Sequence, residues 1–289
     1  MKIYLIVADD PSFHPIVVRD LFEYCKNKYD IIGASVVSAD ARKLSLRDRI
    51  QEQVDLYGVR NVSALALQSI IYRWAKFFGI WQQGAPFDVS IMLNKLNIPI
   101  FRTANINDPS HLEHIEKDRP DVIISCNHQI FRKRLLEIPR LACINRHTSL
   151  LPHYAGLLPV FWALLHDEPI VGQTIHTMEE MIDGGYIVAQ ETRVVTPETT
   201  LYAAYSQAFA SAGKLLGTAL DRLSTITSKE EIPAIGKEME IAQRKYFSYP
   251  KKGDADLFRT KRRFFTLRQL MTRVPLSEKY ETTLVFPET

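Results

Sequence analysis

Three side chains carry the chemistry most legible in this chain: Asn145, His147 and Asp183. Asn145 and His147 stand two residues apart, so on an extended strand both leave the same face. A carboxamide donates hydrogen bonds without ionising, and so can hold a developing oxyanion at any pH. A preorganised donor of that kind is worth roughly 3–4 kcal/mol in a transition state. An imidazole donates or shuttles a proton near neutral pH. The carboxylate of Asp183 precedes Gly184 and Gly185, whose backbone freedom permits close approach, and it could orient a water that takes up a released proton. Such groups suit a carbonyl carbon under attack by an amine, which points to acyl transfer.

Other chemistries fit less well. Ser149 lacks the G-x-S-x-G elbow of a serine nucleophile. His147, His153 and His176 with Asp183 match no H-E-x-x-H or H-x-x-E-H spacing, so no metal is expected. His176, in a predicted strand, reads as structural or as a support for the site.

The elements that must position these groups follow from short apolar runs at 3–8, 31–37, 98–101, 122–126 and 141–144, rich in Val and Ile. Runs of that kind form buried parallel strands. Helical stretches at 15–28, 44–57, 85–96 and 110–117 alternate with them, which predicts a doubly wound, mostly parallel Rossmann-like α/β sheet. Ligands in such sheets bind beyond the carboxyl ends of the strands, where Asn145 and His147 fall. Two more strands, 174–178 and 186–195, are joined through the Asp183 turn. A helix capped by Thr196, with Pro197 at its first position, is then expected to run to about Leu223. The chain divides into a catalytic unit over 1–223 and a small basic extension over 224–289, whose one evident helix is Lys237–Lys245.

Composition sets the frame. Of 289 residues 46% are hydrophobic, enough for a sizeable core and too many for a disordered chain. Three cysteines without C-x-x-C spacing argue against disulfides and zinc knuckles, and fit a reducing, cytoplasmic setting. No apolar run reaches the ~20 residues that span a bilayer, so no membrane partner is expected. The stretch 62–81 is rich in aromatics and reads first as a packed core or dimer-interface helix, second as an interfacial membrane helix; a homodimer is thus admitted. From Lys237 to Thr289 there are 12 Lys and Arg against 7 Asp and Glu, a basic tail suited to a phosphorylated partner.

Taken in order, Asn145-x-His147, Ser149-Leu150-Leu151-Pro152, Gly156, Gly172-Gln173-Thr174-Ile175-His176 and Asp183-Gly184-Gly185 resemble the signature of the folate-dependent formyltransferases over about residues 1–223. The resemblance implies 10-formyltetrahydrofolate as formyl donor and Asn145, His147 and Asp183 as the catalytic trio. It places the pterin between two loops, with Ser125, His128, Gln129, Ile130 and Phe131 on one and Met181 and Ile182 on the other. Ser149, Pro152, Tyr154, Gly156, Trp162 and Tyr246 would meet the acceptor. Gly156 to Trp162 looks like the Gly-x-x-Pro-x-x-Trp of the methionyl-tRNA and amino-sugar branch. The loop Asp9–Pro15 has no glycine to cradle a phosphate, which disfavours the purine-pathway substrate. Ala155 stands where many relatives have Arg, which puts a phosphate or tRNA contact there in doubt. The expected acceptor is a small primary amine, an amino sugar carried on a nucleotide and stacked near Tyr246–Tyr249 or another small amine, and not a nucleic acid. Methionyl-tRNA formylation, formylfolate hydrolysis and a non-catalytic folate binder are the alternatives.

Overall fold

The computed structural model describes residues 1–38, 45–272 and 282–285. Five strands run parallel in the order β3-β2-β1-β4-β5: β1 is Lys2–Ala8, β2 Asp30–Val37, β3 Ile100–Thr103, β4 Val122–Cys126 and β5 Ala142–His147. Beyond β5 the sheet turns antiparallel, with β6 (Ile170–Thr177) against β5 and β7 (Tyr186–Val194) against β6. The fold is the expected mostly parallel α/β sheet with an antiparallel wing.

Both faces are covered, which explains the unbroken apolar runs of the inner strands. On one face α1 (His14–Cys25) and the long Leu201–Leu223 helix bury Leu5, Val7, Leu21, Ile144, Leu216 and Leu220. On the other, Tyr4, Ile6, Ile123, Phe131 and Leu135 form a second core. Among the described residues no helix is long and apolar enough to cross a membrane.

Several local expectations shift. The long helix starts at Leu201 with Thr200 as its cap, not at Thr196; Thr196 and Thr199 close a separate turn on each other. The predicted 85–96 helix is shortened to Val89–Lys95, because Asp88 caps it and Ala85–Pro86 pairs with Trp81–Gln82. Leu44, the expected start of the helix after β2, lies outside the described residues; α2 covers Leu46–Tyr57 with Ser45 as cap. Lys237–Lys245 is not a helix. Lys237–Glu238 joins β7 as an antiparallel edge, and Tyr246–Phe247 pairs in parallel with Ala155–Gly156.

The extension is woven into the body. Its Lys252–Lys261 helix buries Phe258 against Phe161, and Phe264 stacks beside them. Thr282–Val285 adds a further antiparallel pairing to β7. The aromatic stretch 62–81 is not a core helix: in α3 (Val59–Phe77) only Tyr72 and Ala75 are buried, and the aromatics from Trp74 onward face solvent.

Candidate active site

Asn145 and His147 lie on β5 itself, where strand alternation sends both to one face and Arg146 to the other. Arg146 stacks its guanidinium on Phe209 at 4.1 Å and donates to Gln173 at 3.1 Å, with burial depressing its pKa. Across the antiparallel pair, His176 of β6 stands opposite Asn145 and Thr174 opposite His147. Asp183 sits in the turn between β6 and β7 at φ +50°, followed by Gly185 at φ +88°. A Cβ at Gly185 would fall 2.4 Å from the Thr177 carbonyl oxygen, so only glycine lets the turn close this tightly.

Two bonds to one short segment fix the imidazole and the carboxylate. Nε2–H of His147 donates to the Tyr154 carbonyl at 3.0 Å. A carbonyl only accepts, so in the neutral ring the lone pair lies on Nδ1. That nitrogen faces Asp183 Oδ1 at 3.6 Å, too long for a direct hydrogen bond and within the reach of a bridging water. Oδ2 of Asp183 accepts the Gly156 N–H at 2.8 Å. Residues 154–156 therefore hold both partners from the backbone.

His176 supports the third group. It is buried, and its Nδ1–H is shared between the carbonyls of Thr177 at 2.9 Å and Gly184 at 3.0 Å. Nε2 is left as an acceptor for the Asn145 amide at 3.4 Å. Burial lowers the pKa of His176, and the nearby His147 lowers it further, which keeps this ring neutral and the tautomer fixed. One N–H of Asn145 is thus anchored and the other remains to donate.

The extension braces this arrangement. Ala155 N–H donates to the Lys245 carbonyl at 3.0 Å and Leu157 N–H to the Phe247 carbonyl at 2.8 Å. A Cβ at Gly156, which has φ +98°, would lie 2.2 Å from that Phe247 oxygen. The Arg244 guanidinium donates to the carbonyl of Ile182, next to the carboxylate. A cleft of about 400 Å³, open to solvent, is lined by Pro152, Met181, Asp183, Glu240 and Arg244 among others.

At the amino end of α1, the N–H groups of Phe13 and His14 donate to Asp10 Oδ2 at 2.7 and 3.3 Å. The anion at this helix terminus is the chain's own carboxylate, in keeping with a loop that does not cradle phosphate.

Residues 25–220 match the family described as formyl transferase, well over half of the chain. The chain belongs to the formyl transferase family. It is 41% identical over 111 residues to a methionyl-tRNA formyltransferase of Syntrophus aciditrophicus, covering 38% of this chain and 36% of the relative. It is 29% identical over 180 residues to the bifunctional polymyxin resistance protein ArnA of Wigglesworthia glossinidia brevipalpis, covering 62% and 27%. The chain spans less than half the length of these relatives in each match. Among solved structures, an N-formyltransferase of Helicobacter canadensis in complex with folinic acid and dTDP-3-aminofucose superposes with a TM-score of 0.55 at 16% identity, over 86% of this chain and 71% of that one. A phosphoribosylglycinamide formyltransferase of Bacillus halodurans gives 0.53 at 16% identity, over 77% and 95%. At such identities the likeness establishes the shared fold.

The remaining predicted residues divide. Ile130, Met181 and Ile182 are exposed on the two loops expected to flank a pterin, and His128 is exposed beside them. Six others have their side chains committed elsewhere. Phe131 does not wall a cleft, because it is buried in the core with Tyr4 and Leu135. Gln129 uses its side chain to hold Ala104 and Ile106. Ser125 is buried and accepts from Asn127 at 3.2 Å. Ser149 is buried and donates to the His153 carbonyl at 2.8 Å, so its hydroxyl is not free for an acceptor. Trp162 packs under the extension and donates to the Ser248 carbonyl at 3.1 Å. Tyr154 gives its hydroxyl to Glu168 at 2.7 Å and serves the site through its carbonyl. Pro152 lines the cleft, and Tyr246 is exposed against Gly156. Arg244 and the Tyr154 carbonyl escaped sequence reasoning, since a backbone oxygen carries no residue signature and Arg244 lies in a stretch expected to be a helix of the basic tail.

Proposed function

We propose that the chain transfers a formyl group from 10-formyltetrahydrofolate to a primary amine, and that the acceptor is an amino sugar carried on a nucleotide. The observation that carries this reading is the placement of His147 Nδ1 and Asp183 Oδ1 3.6 Å apart, close enough for charge pairing and for one water to contact both from the side.

The folate supplies the formyl carbon. As the amine adds, the carbonyl oxygen gains negative charge, which the unanchored N–H of Asn145 stabilises. The new C–N bond forms while the bond from the formyl carbon to the folate nitrogen breaks. The amine loses a proton through the Asp183 and His147 pair, and the folate nitrogen gains one as it leaves. Exposed Ile130, Met181 and Ile182 offer the apolar walls that a pterin ring needs. Support for the acceptor class comes from the Helicobacter canadensis relative, whose complex holds folinic acid and a dTDP-linked amino sugar. The exposed Tyr246, with Lys251 and Lys252 close by in sequence, could stack a base while a cation meets a phosphate.

A second reading, formylation of methionyl-tRNA, is favoured by the 41% identical segment shared with the Syntrophus enzyme. Incubating the protein with formylfolate and, in turn, dTDP- and UDP-linked amino sugars, charged initiator tRNA, or water alone separates the readings. Donor loss with the sugars supports the proposal. Loss only with tRNA, or equal loss with water, replaces it by the second reading or by hydrolysis, and no loss in any arm removes the activity.

A further inference from the structure

We propose that the aromatic end of α3 and the turn after it form a peripheral docking surface for an anionic phospholipid bilayer. Leu67, Ile70, Trp74, Phe77 and Phe78 recur at the three- and four-residue spacing of one helix face. That face is open: Phe77 is 78% exposed, Phe78 63% and Trp74 55%. The opposite side docks α3 to the body, with Tyr72 packed on Phe87 and Gln68 donating to the Leu270 carbonyl at 2.8 Å. The helix is therefore apolar on two sides and covered on one. Trp74 stacks on Phe78 at 5.6 Å, so the tip is an ordered aromatic cluster. Contiguous exposed aromatic and aliphatic side chains of this kind mark an interaction surface.

Charge decides the occupant. The thirty residues from Gly58 to Phe87 contain Arg60, Arg73 and Lys76 and no carboxylate. Arg60 and Arg73 are exposed and form no ion pair among the described residues, and Lys95 lies over the Trp81 ring at 4.1 Å. The nearest carboxylate in sequence, Asp88, is buried and already paired with Lys76. A two-fold dimer would set this same patch against its copy, bringing arginine toward arginine with no acid between them. A folded acidic partner would need a recess, whereas consecutive exposed Phe77 and Phe78 at a helix end project outward. Projecting Trp and Phe flanked by unpaired cations are the elements of interfacial binding to anionic lipid. None of these residues belongs to the candidate active site, so the inference stands apart from the proposed activity.

The test is co-sedimentation of the full chain with vesicles of phosphatidylcholine alone and of phosphatidylcholine with phosphatidylglycerol, at low and high salt, beside light scattering without lipid. Binding is expected to favour the mixed vesicles by roughly thirtyfold, the contribution of two cations near the surface, and to weaken with salt. Arg73→Glu should remove that preference. Trp74→Ala with Phe77→Ser should abolish sedimentation while circular dichroism stays unchanged. Absence of binding, or equal binding to both vesicles that the variants do not alter, overturns the proposal. A dimer in solution that these same variants dissolve would assign the face to a second copy instead.

Discussion

Gly156 donates its backbone N–H to Asp183 Oδ2 at 2.8 Å, and the bond ties the carboxylate to a strand that the carboxyl-terminal extension holds in place. A side chain at position 156 would collide with the Phe247 carbonyl, at 2.2 Å for its first carbon. Gly156→Ala should therefore push the 245–247 strand away and release Asp183 by about an ångström. A misplacement of that size costs about a hundredfold in kcat. Steady-state kinetics would check it, with limited proteolysis reporting the loosened extension. Parental kcat in the variant would show that the strand does not govern the carboxylate.

Removing a proton-handling group outright should cost more. Asp183→Asn and His147→Ala are each expected to lower kcat by about 10²–10⁴. His147→Ala loses one bond to a backbone carbonyl and Asp183→Asn keeps its volume, so circular dichroism and the melting temperature should change little. Near-parental rates in both folded variants would remove these residues from the reaction.

Asn145 tests the oxyanion role separately. Asn145→Ala should lower kcat by about 10²–10³, with KM for the donor nearly constant, because the lost interaction forms only as charge develops. Asn145→Asp should be worse, since a carboxylate repels the same charge. Equal activity of the alanine and aspartate variants at parental level would contradict the assignment.

Much of this arrangement was legible in the sequence, and what was hidden has physical causes. The unbroken run Ile3–Ala8 could only be a strand covered on both faces, and the two-residue spacing of Asn145 and His147 gave their common direction. The Asp183-Gly184-Gly185 turn announced itself through its glycines, and both Asp183 and Gly185 take positive φ in it. The brace was not legible, because Ala155–Gly156 and Tyr246–Phe247 pair through backbone groups of two residues each. Lys237–Lys245 carries good helix formers, yet Lys237–Glu238 gains more from pairing with β7. Periodicity likewise marked α3 as apolar without revealing which side the body would cover.

His14 gives a prediction for stability against pH. It is buried at the start of α1, and its Nδ1 makes no hydrogen bond among the described residues. Burial is the largest influence and holds its pKa down to about 4 from an ordinary 6.5; Asp10 opposes the shift, while Arg146 and His128 add to it. The folded protein thus keeps this ring neutral where the unfolded chain would take up a proton. Its contribution to stability is complete above pH 6.5 and is lost as pH falls toward 4. Urea midpoints should accordingly decline over that interval, His14 contributing a slope of at most about 1.4 kcal/mol per pH unit. His176, also depressed by burial, acts in the same direction. His14→Gln should flatten the decline by His14's share while leaving that of His176. Parallel curves for parent and variant between pH 6.5 and 4 would show that His14 is protonated alike in both states.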